Sequence, residues 1–210
     1  MVLGYTVWSW NHLEPLMKPE AWDLEAFARI NQFTAPGWLD KGAVLFRTAS
    51  TWIPLYLLVL IWLLRSRPPG WQILILGLLC SVVLSDQISA SWIKPWVQRL
   101  RPCRYDLSAE NCRLLVPCGT GYSFPSSHAS NHFALAWTLG LWMLRRGIPW
   151  PLGLGSLWAL GIALAQVRVG LHFPSDVVAG ALLGVLVAYT VHQILTLLDT
   201  NRKPKERAVL

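Results

Sequence analysis

Apolar residues in this chain gather in runs of about twenty instead of alternating with polar ones. The clearest runs are residues 43–64, 71–93, 127–144, 151–169 and 174–198. A hydrocarbon core about 30 Å thick takes roughly 20 mostly apolar residues per helix, so the pattern predicts five membrane spans. The fold class expected is all-α, a polytopic membrane helix bundle of about five transmembrane helices. Residues 1–42 do not add a sixth span. Asn11, His12, Glu14, Lys18, Glu20, Asp23, Glu25 and Arg29 interrupt every apolar stretch there, and an interfacial amphipathic helix around residues 22–33 is predicted instead. The chain then divides into an N-terminal interfacial segment (1–42), a transmembrane domain (43–198) and a basic cytoplasmic tail (199–210). The first residues lack a basic stretch followed by an apolar one, so no cleavable signal peptide is expected.

Composition agrees with the membrane class, since 54% of residues are apolar and only 14% are charged. Many of the 13 Trp, among them Trp52, Trp71, Trp92, Trp96 and Trp150, fall near the ends of runs, where amphipathic rings sit at headgroup level. A soluble helical core would need far more polar helix faces. The net charge of +7 raises the question of nucleic acid, but no basic stripe with interleaved aromatics lies on a soluble module, and no nucleic-acid partner is expected. Placement of the charge is more informative. Arg65 and Arg67 follow the first run, Arg145 and Arg146 the third, and Arg202, Lys203, Lys205 and Arg207 the fifth. With five spans these clusters share one side, which the positive-inside rule makes the cytoplasm. The N-terminus and residues 94–125 then face outward, as expected for a bacterial inner-membrane protein. Lys94, Arg99, Arg101, Arg104 and Arg113 stand on that side against the rule, so another role is expected of them.

Three short stretches bring ionisable groups to the outward face: Lys94 with Arg101 and Pro102; Pro125, Ser126, Ser127 and His128; and Arg168, His172 and Asp176. Lys94 and the fork of Arg101 can surround a phosphoryl group with positive charge. Ser126 and Ser127 open a helix after Pro125, where unpaired backbone N–H groups favour an anion. Asp176 lies one turn from His172 and can hold one ring nitrogen protonated while the other presents its lone pair. Two histidines at two helix ends suggest a nucleophile and an acid.

These residues resemble the type 2 phosphatidic acid phosphatase (PAP2) family. Lys94, six residues, Arg101 and Pro102 match its first motif. Pro125, Ser126, Ser127 and His128 match the second, with Ser where the family has Gly. His172 and Asp176 match the third, but Gln166 fills the arginine position and Arg168 comes two residues late. The resemblance spans roughly residues 51–184. It implies metal-independent hydrolysis of a lipid phosphate or pyrophosphate, of the polyprenyl, phosphatidate-like or lipid A class, with no cofactor. It also implies that His172 is the nucleophile, Asp176 its orienter and His128 the general acid, and that Lys94, Arg101, Ser126 and the Ser127 N–H bind phosphate. Arg168 is the expected third cation, with Gln166 the alternative by position. Phosphotransfer to another lipid, or lipid binding and transport with an impaired site, are the competing readings. The oligomeric state is left open.

The remaining polar residues have plainer expectations. Cys103 and Cys118 bracket the loop between the first two motifs and are the favoured disulfide; Cys112 is left as a thiol, and Cys80 as a buried apolar residue. The three loop cysteines match no zinc spacing. His12, His132 and His192 are expected to be structural, with His132 supporting His128 from one turn away. Asp86 is expected to pair with Arg47. Arg99, Arg104 and Arg113 are expected to be solvated or to touch headgroups. The glycines from Gly153 to Gly161 are expected to let helices approach closely.

Overall fold

The structure, a computed structural model, describes residues 18–105 and 112–200. His12 and the basic cluster Arg202, Lys203, Lys205 and Arg207 lie outside the described residues. All regular structure among the described residues is helical: α1 (Ala21–Asn31), α2 (Gly37–Arg47), α3 (Ile53–Ser66), α4 (Trp71–Asp86), α5 (Lys94–Val97), α6 (Ser127–Leu144), α7 (Trp150–Arg168) and α8 (Pro174–Thr200). Single 3₁₀ turns cover Ala49–Trp52 and Pro102–Arg104, and a π-helical stretch, Gln87–Ile93, joins α4 to α5.

Among the described residues four helical segments are long and apolar enough to cross a membrane: Ala49–Ser66, Trp71–Arg104, Trp150–Arg168 and Pro174–Leu197. The fifth expected span, α6, has 18 residues but carries His128, Ser130, Asn131, His132 and Thr138. It tolerates them because it is the central helix, packed on α8, α7 and α4, and not exposed to lipid all round. Ser81 and Thr138, for example, meet inside the bundle with their hydroxyls 2.7 Å apart. The protein is an integral membrane helix bundle.

Among the described helices α6 and α8 pack over the most extensive contact, and two glycines set it. A Cβ on Gly180 would lie 2.4 Å from the Ser126 carbonyl oxygen, and one on Gly184 2.2 Å from that of Ser130. Small residues spaced by four let two helix backbones touch. That contact holds the N-terminal ends of α6 and α8 together, tied by the Ser126 N–H donating to the Asp176 carbonyl at 2.9 Å. Close approach is also expected from the sequence at Gly153–Gly161. Gly155 and Gly161 do receive Ala136 and Phe46, but nothing approaches Gly153 within 4 Å.

The run at 43–64 is not one helix. Arg47 ends α2, Thr48 turns to extended backbone (φ −79°, ψ 117°), and α3 begins one 3₁₀ turn later with Pro54 in its first turn. Proline is accommodated there because a first-turn N–H has no helical partner. The π-helical stretch has a related cause. Pro95 cannot supply the N–H that a continued α-helix needs, and a widened turn rephases the chain before Lys94.

The α3–α4 and α6–α7 turns meet at the opposite end from α6's N-terminus. There Arg146 donates to the carbonyls of Trp142 and Pro69 and stacks on the Trp142 ring, and Arg145 donates to Thr196 on α8. The cations Arg65, Arg67, Arg145 and Arg146 thus gather at one end of the bundle, and the three motif stretches gather at the other.

Candidate active site

The first two stretches meet through a direct contact. Lys94, the first residue of α5, donates from Nζ to Ser127 Oγ at 2.8 Å, and Ser89 on the π-helical stretch donates to the same oxygen at 3.0 Å. Gln98 then takes a left-handed conformation (φ 55°), which ends α5 and sends the chain back across the site. Arg101 follows, its guanidinium fixed by Nε–H to the Gly121 carbonyl (2.9 Å) and Nη1 to that of Leu171 (3.1 Å). Cys103 is disulfide-bonded to Cys118, and Arg104 donates to the Thr120 carbonyl at 2.7 Å, so both sides of Arg101's loop are tied together.

The third stretch enters through a sharp turn. Gly170 has φ +86°, a value that L side chains rarely adopt, and a Cβ there would lie 2.8 Å from the Arg113 carbonyl oxygen. The bend delivers His172 just before α8, where its Nε2 lies 3.1 Å from Arg101 Nη1. A guanidinium can only donate, so Nε2 is the acceptor and carries the lone pair, and the ring proton sits on Nδ1. Nδ1 faces Asp176 Oδ2 at 3.5 Å, a long contact and not a formed hydrogen bond. Burial pushes the imidazole from its usual 6.5 down to about 4, although the nearby Asp176 carboxylate pulls it up. The ring is therefore neutral at neutral pH, and it loses its lone pair only as the pH falls through about 4. In an NMR titration of ring-labelled histidine, the His172 signal is expected to move with a midpoint below 5. A midpoint at 6.5 or above would contradict this assignment.

Asp176 is itself held. Its Oδ2 accepts from the Phe173 N–H (2.8 Å) and its Oδ1 from Arg99 Nη1 (2.7 Å). Arg99 in turn donates from Nη2 to Asp23 Oδ2 (2.9 Å), and its guanidinium lies 5.0 Å from the centre of the Phe173 ring. Asp23 also accepts from the Ser175 backbone N–H at 2.9 Å. This corrects the expectation for Arg99. Its side chain is only 3% exposed, because two buried carboxylates neutralise it away from headgroups and water. A sequence signal for its partner did exist: Asp23, Phe27 and Asn31 recur at every fourth residue and are the buried face of α1.

A profile of the PAP2 superfamily matches residues 74–198. The chain belongs to the PAP2 superfamily. It is 30% identical over 167 residues to a lipid A 4'-phosphatase of Bacteroides thetaiotaomicron, covering 77% of this chain and 72% of that protein. It is 32% identical to an undecaprenyl-diphosphatase of Sulfolobus acidocaldarius, covering 68% and 63%. Its fold matches the crystal structure of a transmembrane PAP2-type phosphatidylglycerolphosphate phosphatase from Bacillus subtilis with a TM-score of 0.64 at 18% identity, over 92% and 94% of the two chains. The chain is a phosphatase of this superfamily.

Four expectations need correction, the first of them together with that for Arg113. Arg168 does not face the site. Its Nε and Nη2 donate to Asp40 Oδ1 (3.0 and 2.7 Å), and its Nη1 donates to the carbonyls of Ile30 (2.8 Å), Asn31 (3.2 Å) and Phe33 (2.7 Å). The reason is helical phase. α7 runs unbroken through Arg168, so Gln166 and Arg168 point about 200° apart, and Arg168 points at the α1–α2 connection. Arg113 shares Asp40 with it and so is not free at the headgroups either. Burial works against Asp40's charge, but the Arg168 and Arg113 guanidiniums outweigh it and hold the carboxyl below the usual carboxylate range.

Ser126 is the second correction. It is fully buried, its N–H is engaged by Asp176, and its hydroxyl caps α6 by accepting from the Ala129 N–H at 3.5 Å. It joins the two helix ends, with its N–H and its hydroxyl both engaged there. Third, Asp86 is held by Asn131 Nδ2 at 3.0 Å and not by Arg47, because the break after α2 turns Arg47 toward α7, where its Nε donates to Gln166 Oε1 at 3.5 Å. The fourth is Arg99, described above. His132 receives a definite place: its Nδ1 lies 2.7 Å from the His128 carbonyl oxygen and its Nε2 3.1 Å from Tyr56 Oη, so it braces the turn that carries His128.

Proposed function

We propose that this protein hydrolyses a lipid phosphate or pyrophosphate through a phosphohistidine on His172, without a metal. The observation that carries the reading is the pairing of a neutral His172, its Nε2 lone pair at 3.1 Å from Arg101, with a second histidine at the start of α6. Arg101 and Lys94 would leave their present partners for the phosphate's oxygens, joined by the N–H of Ser127 at the positive end of α6. Nε2 of His172 then attacks phosphorus, and the bond from phosphorus to the lipid oxygen breaks. His128, entering this step as the imidazolium, gives its proton to that oxygen and is left neutral. Asp176 stabilises the proton on Nδ1 as the ring becomes charged. In the second half, His128 takes a proton from water, the hydroxide displaces His172 from phosphorus, and inorganic phosphate leaves.

The lipid reading is supported by an apolar cavity of about 940 Å³ between α3, α4, α6 and α7, lined by Leu60, Leu63, Leu78, Leu139 and Trp158 among others. Tyr56, whose hydroxyl contacts His132, also lines it, so apolar chains lodged there would lie beneath the polar site. With its cationic end in the cytoplasm, the bundle would open its site on the extracytoplasmic face of a bacterial inner membrane.

Phosphate release is to be measured on detergent-solubilised protein with undecaprenyl diphosphate, a lipid A precursor and phosphatidate, in excess chelator. Free phosphate from at least one of them, undiminished by the chelator, is the expected result. Turnover lost in chelator and restored by Mg²⁺ would contradict the metal-free route, and a phosphorylated acceptor lipid in place of free phosphate would make the protein a phosphotransferase.

A further inference from the structure

Among the described residues two cations reach the motif histidine and the start of α6, Arg101 and Lys94, whereas a transferring phosphoryl group spreads its charge over three equatorial oxygens. Where PAP2 proteins carry an arginine, this chain has Gln166, and the neighbouring Arg168 is spent on Asp40. Gln166 is fully buried, and its Nε2, a two-proton donor, has no partner. Its Oε1 meets the guanidinium of Arg47 at 3.5 Å. Arg47 comes from the other end of the sequence pattern, as the last residue of α2, yet its guanidinium reaches across to the last turn of α7.

Its position is built. Phe46 is seated in the notch left by Gly161, where a Cβ would come within 2.9 Å of the ring. Phe46 stacks edge-on against Trp52 (centroids 4.9 Å apart), and Trp52 against Trp158 (5.3 Å). The Trp52 indole N–H donates to the Phe46 carbonyl at 2.8 Å. This aromatic run fixes the residue just before Arg47, and Gln166 receives the guanidinium. The extended backbone at Thr48 is the turn that aims it inward.

We propose that Arg47 is the third phosphate-binding cation of this site, delivered from α2 and held by Gln166 in the slot where the superfamily pattern places arginine. This rests on reading the site as a phosphohydrolase. The guanidinium needs only to exchange Gln166 for a phosphate oxygen, and Gln166 Nε2 is free to follow as a further donor. Arg47 binds substrate, and Gln166 positions it.

The test is a charge transplant. Arg47→Gln, which keeps most of the length and the amide contact, is expected to lower kcat/KM by about 10²-fold, as for one lost transition-state donor. It should also weaken inhibition by inorganic phosphate. Gln166→Arg added to that variant returns a guanidinium to the same slot from the other helix and is expected to recover most of the loss. Arg47→Gln within about threefold of wild type, or a loss that Gln166→Arg leaves untouched in protein that elutes like wild type, overturns the proposal. If Arg47→Gln does not fold, Arg47→Lys is read in its place. A loss of about tenfold with weaker phosphate inhibition is then expected, and unchanged kinetics overturn the proposal. A wild-type protein that releases no phosphate from any lipid would instead sink the hydrolase reading on which this rests.

Discussion

Replacing His172 with alanine is expected to lower phosphate release by on the order of 10⁴–10⁶-fold, the loss that follows when the group making the covalent bond is removed. The protein should still fold, because the His172 ring donates nothing that another side chain depends on: Asp176 keeps the Phe173 N–H and Arg99 as partners. Inorganic phosphate should still bind, since Lys94, Arg101 and the start of α6 are unchanged. His128→Ala is expected to differ in kind. It should depress turnover of natural lipids with poor leaving groups much more than that of an aryl phosphate, whose leaving oxygen needs no proton. Measuring both variants on both substrates separates nucleophile from acid. Equal losses on the two substrates for His128→Ala would contradict its assignment.

The second large effect is expected at Arg99, which touches no substrate. Arg99→Met leaves Asp23 and Asp176 buried and facing each other without a cation. Breaking a buried ion pair on one side costs about 3–5 kcal/mol, and here two pairs are lost at once. Lower thermal stability is therefore expected, together with a fall in kcat. Losing the carboxylate that orients a catalytic imidazole can cost roughly 10⁴-fold, and Arg99 acts one contact further out, so a loss of about 10² is expected. A second change separates the two effects. Asp23→Asn in the Arg99→Met background removes one unpaired charge and should return part of the stability. It should leave the rate low, because Oδ1 of Asp176 still lacks the Arg99 guanidinium. If stability and rate recover together, Arg99 is structural only.

The membrane class and the motif stretches that carry the family resemblance were legible because both are written in local patterns. Runs of apolar residues identify spans by length alone, and Lys94, Arg101, His128, His172 and Asp176 lie at fixed distances within short stretches. What was not legible depends on where helices turn. Arg168 and Gln166 differ by two positions, and only the unbroken helix to Arg168 sends the first to Asp40 and the second to Arg47. Arg47 was assigned to Asp86 because residues 43–64 read as one apolar run; the break at Thr48 redirects it. Arg99 looked like one surface cation among five because its carboxylate partners come from residues 76 and 77 positions away. Long-range charge pairing leaves no period in a sequence. The face of α1 does leave one, since a buried Asp and Asn four residues either side of Phe27 mark a helix packed on protein, not one lying free at an interface.

The α1 contribution also changes how the chain divides. Asp23 and Asn31, from the segment expected to lie at the interface, reach the Arg99–Asp176 network and the carbonyls of Arg113 and Arg168. We therefore place α1 and α2 with the catalytic unit, as the brace behind Asp176 and the carrier of Arg47.

The measurement that bears most directly on the covalent route is isolation of the intermediate. Wild-type protein mixed with a ³²P-labelled lipid phosphate in excess chelator is quenched within the first turnover in alkaline denaturant, where phosphohistidine survives, and digested for mass spectrometry. Label on the peptide containing His172, absent from His172→Ala and unaffected by the chelator, is the predicted result. Label on another residue, or steady turnover with no protein-bound phosphate at any quench time, would contradict it.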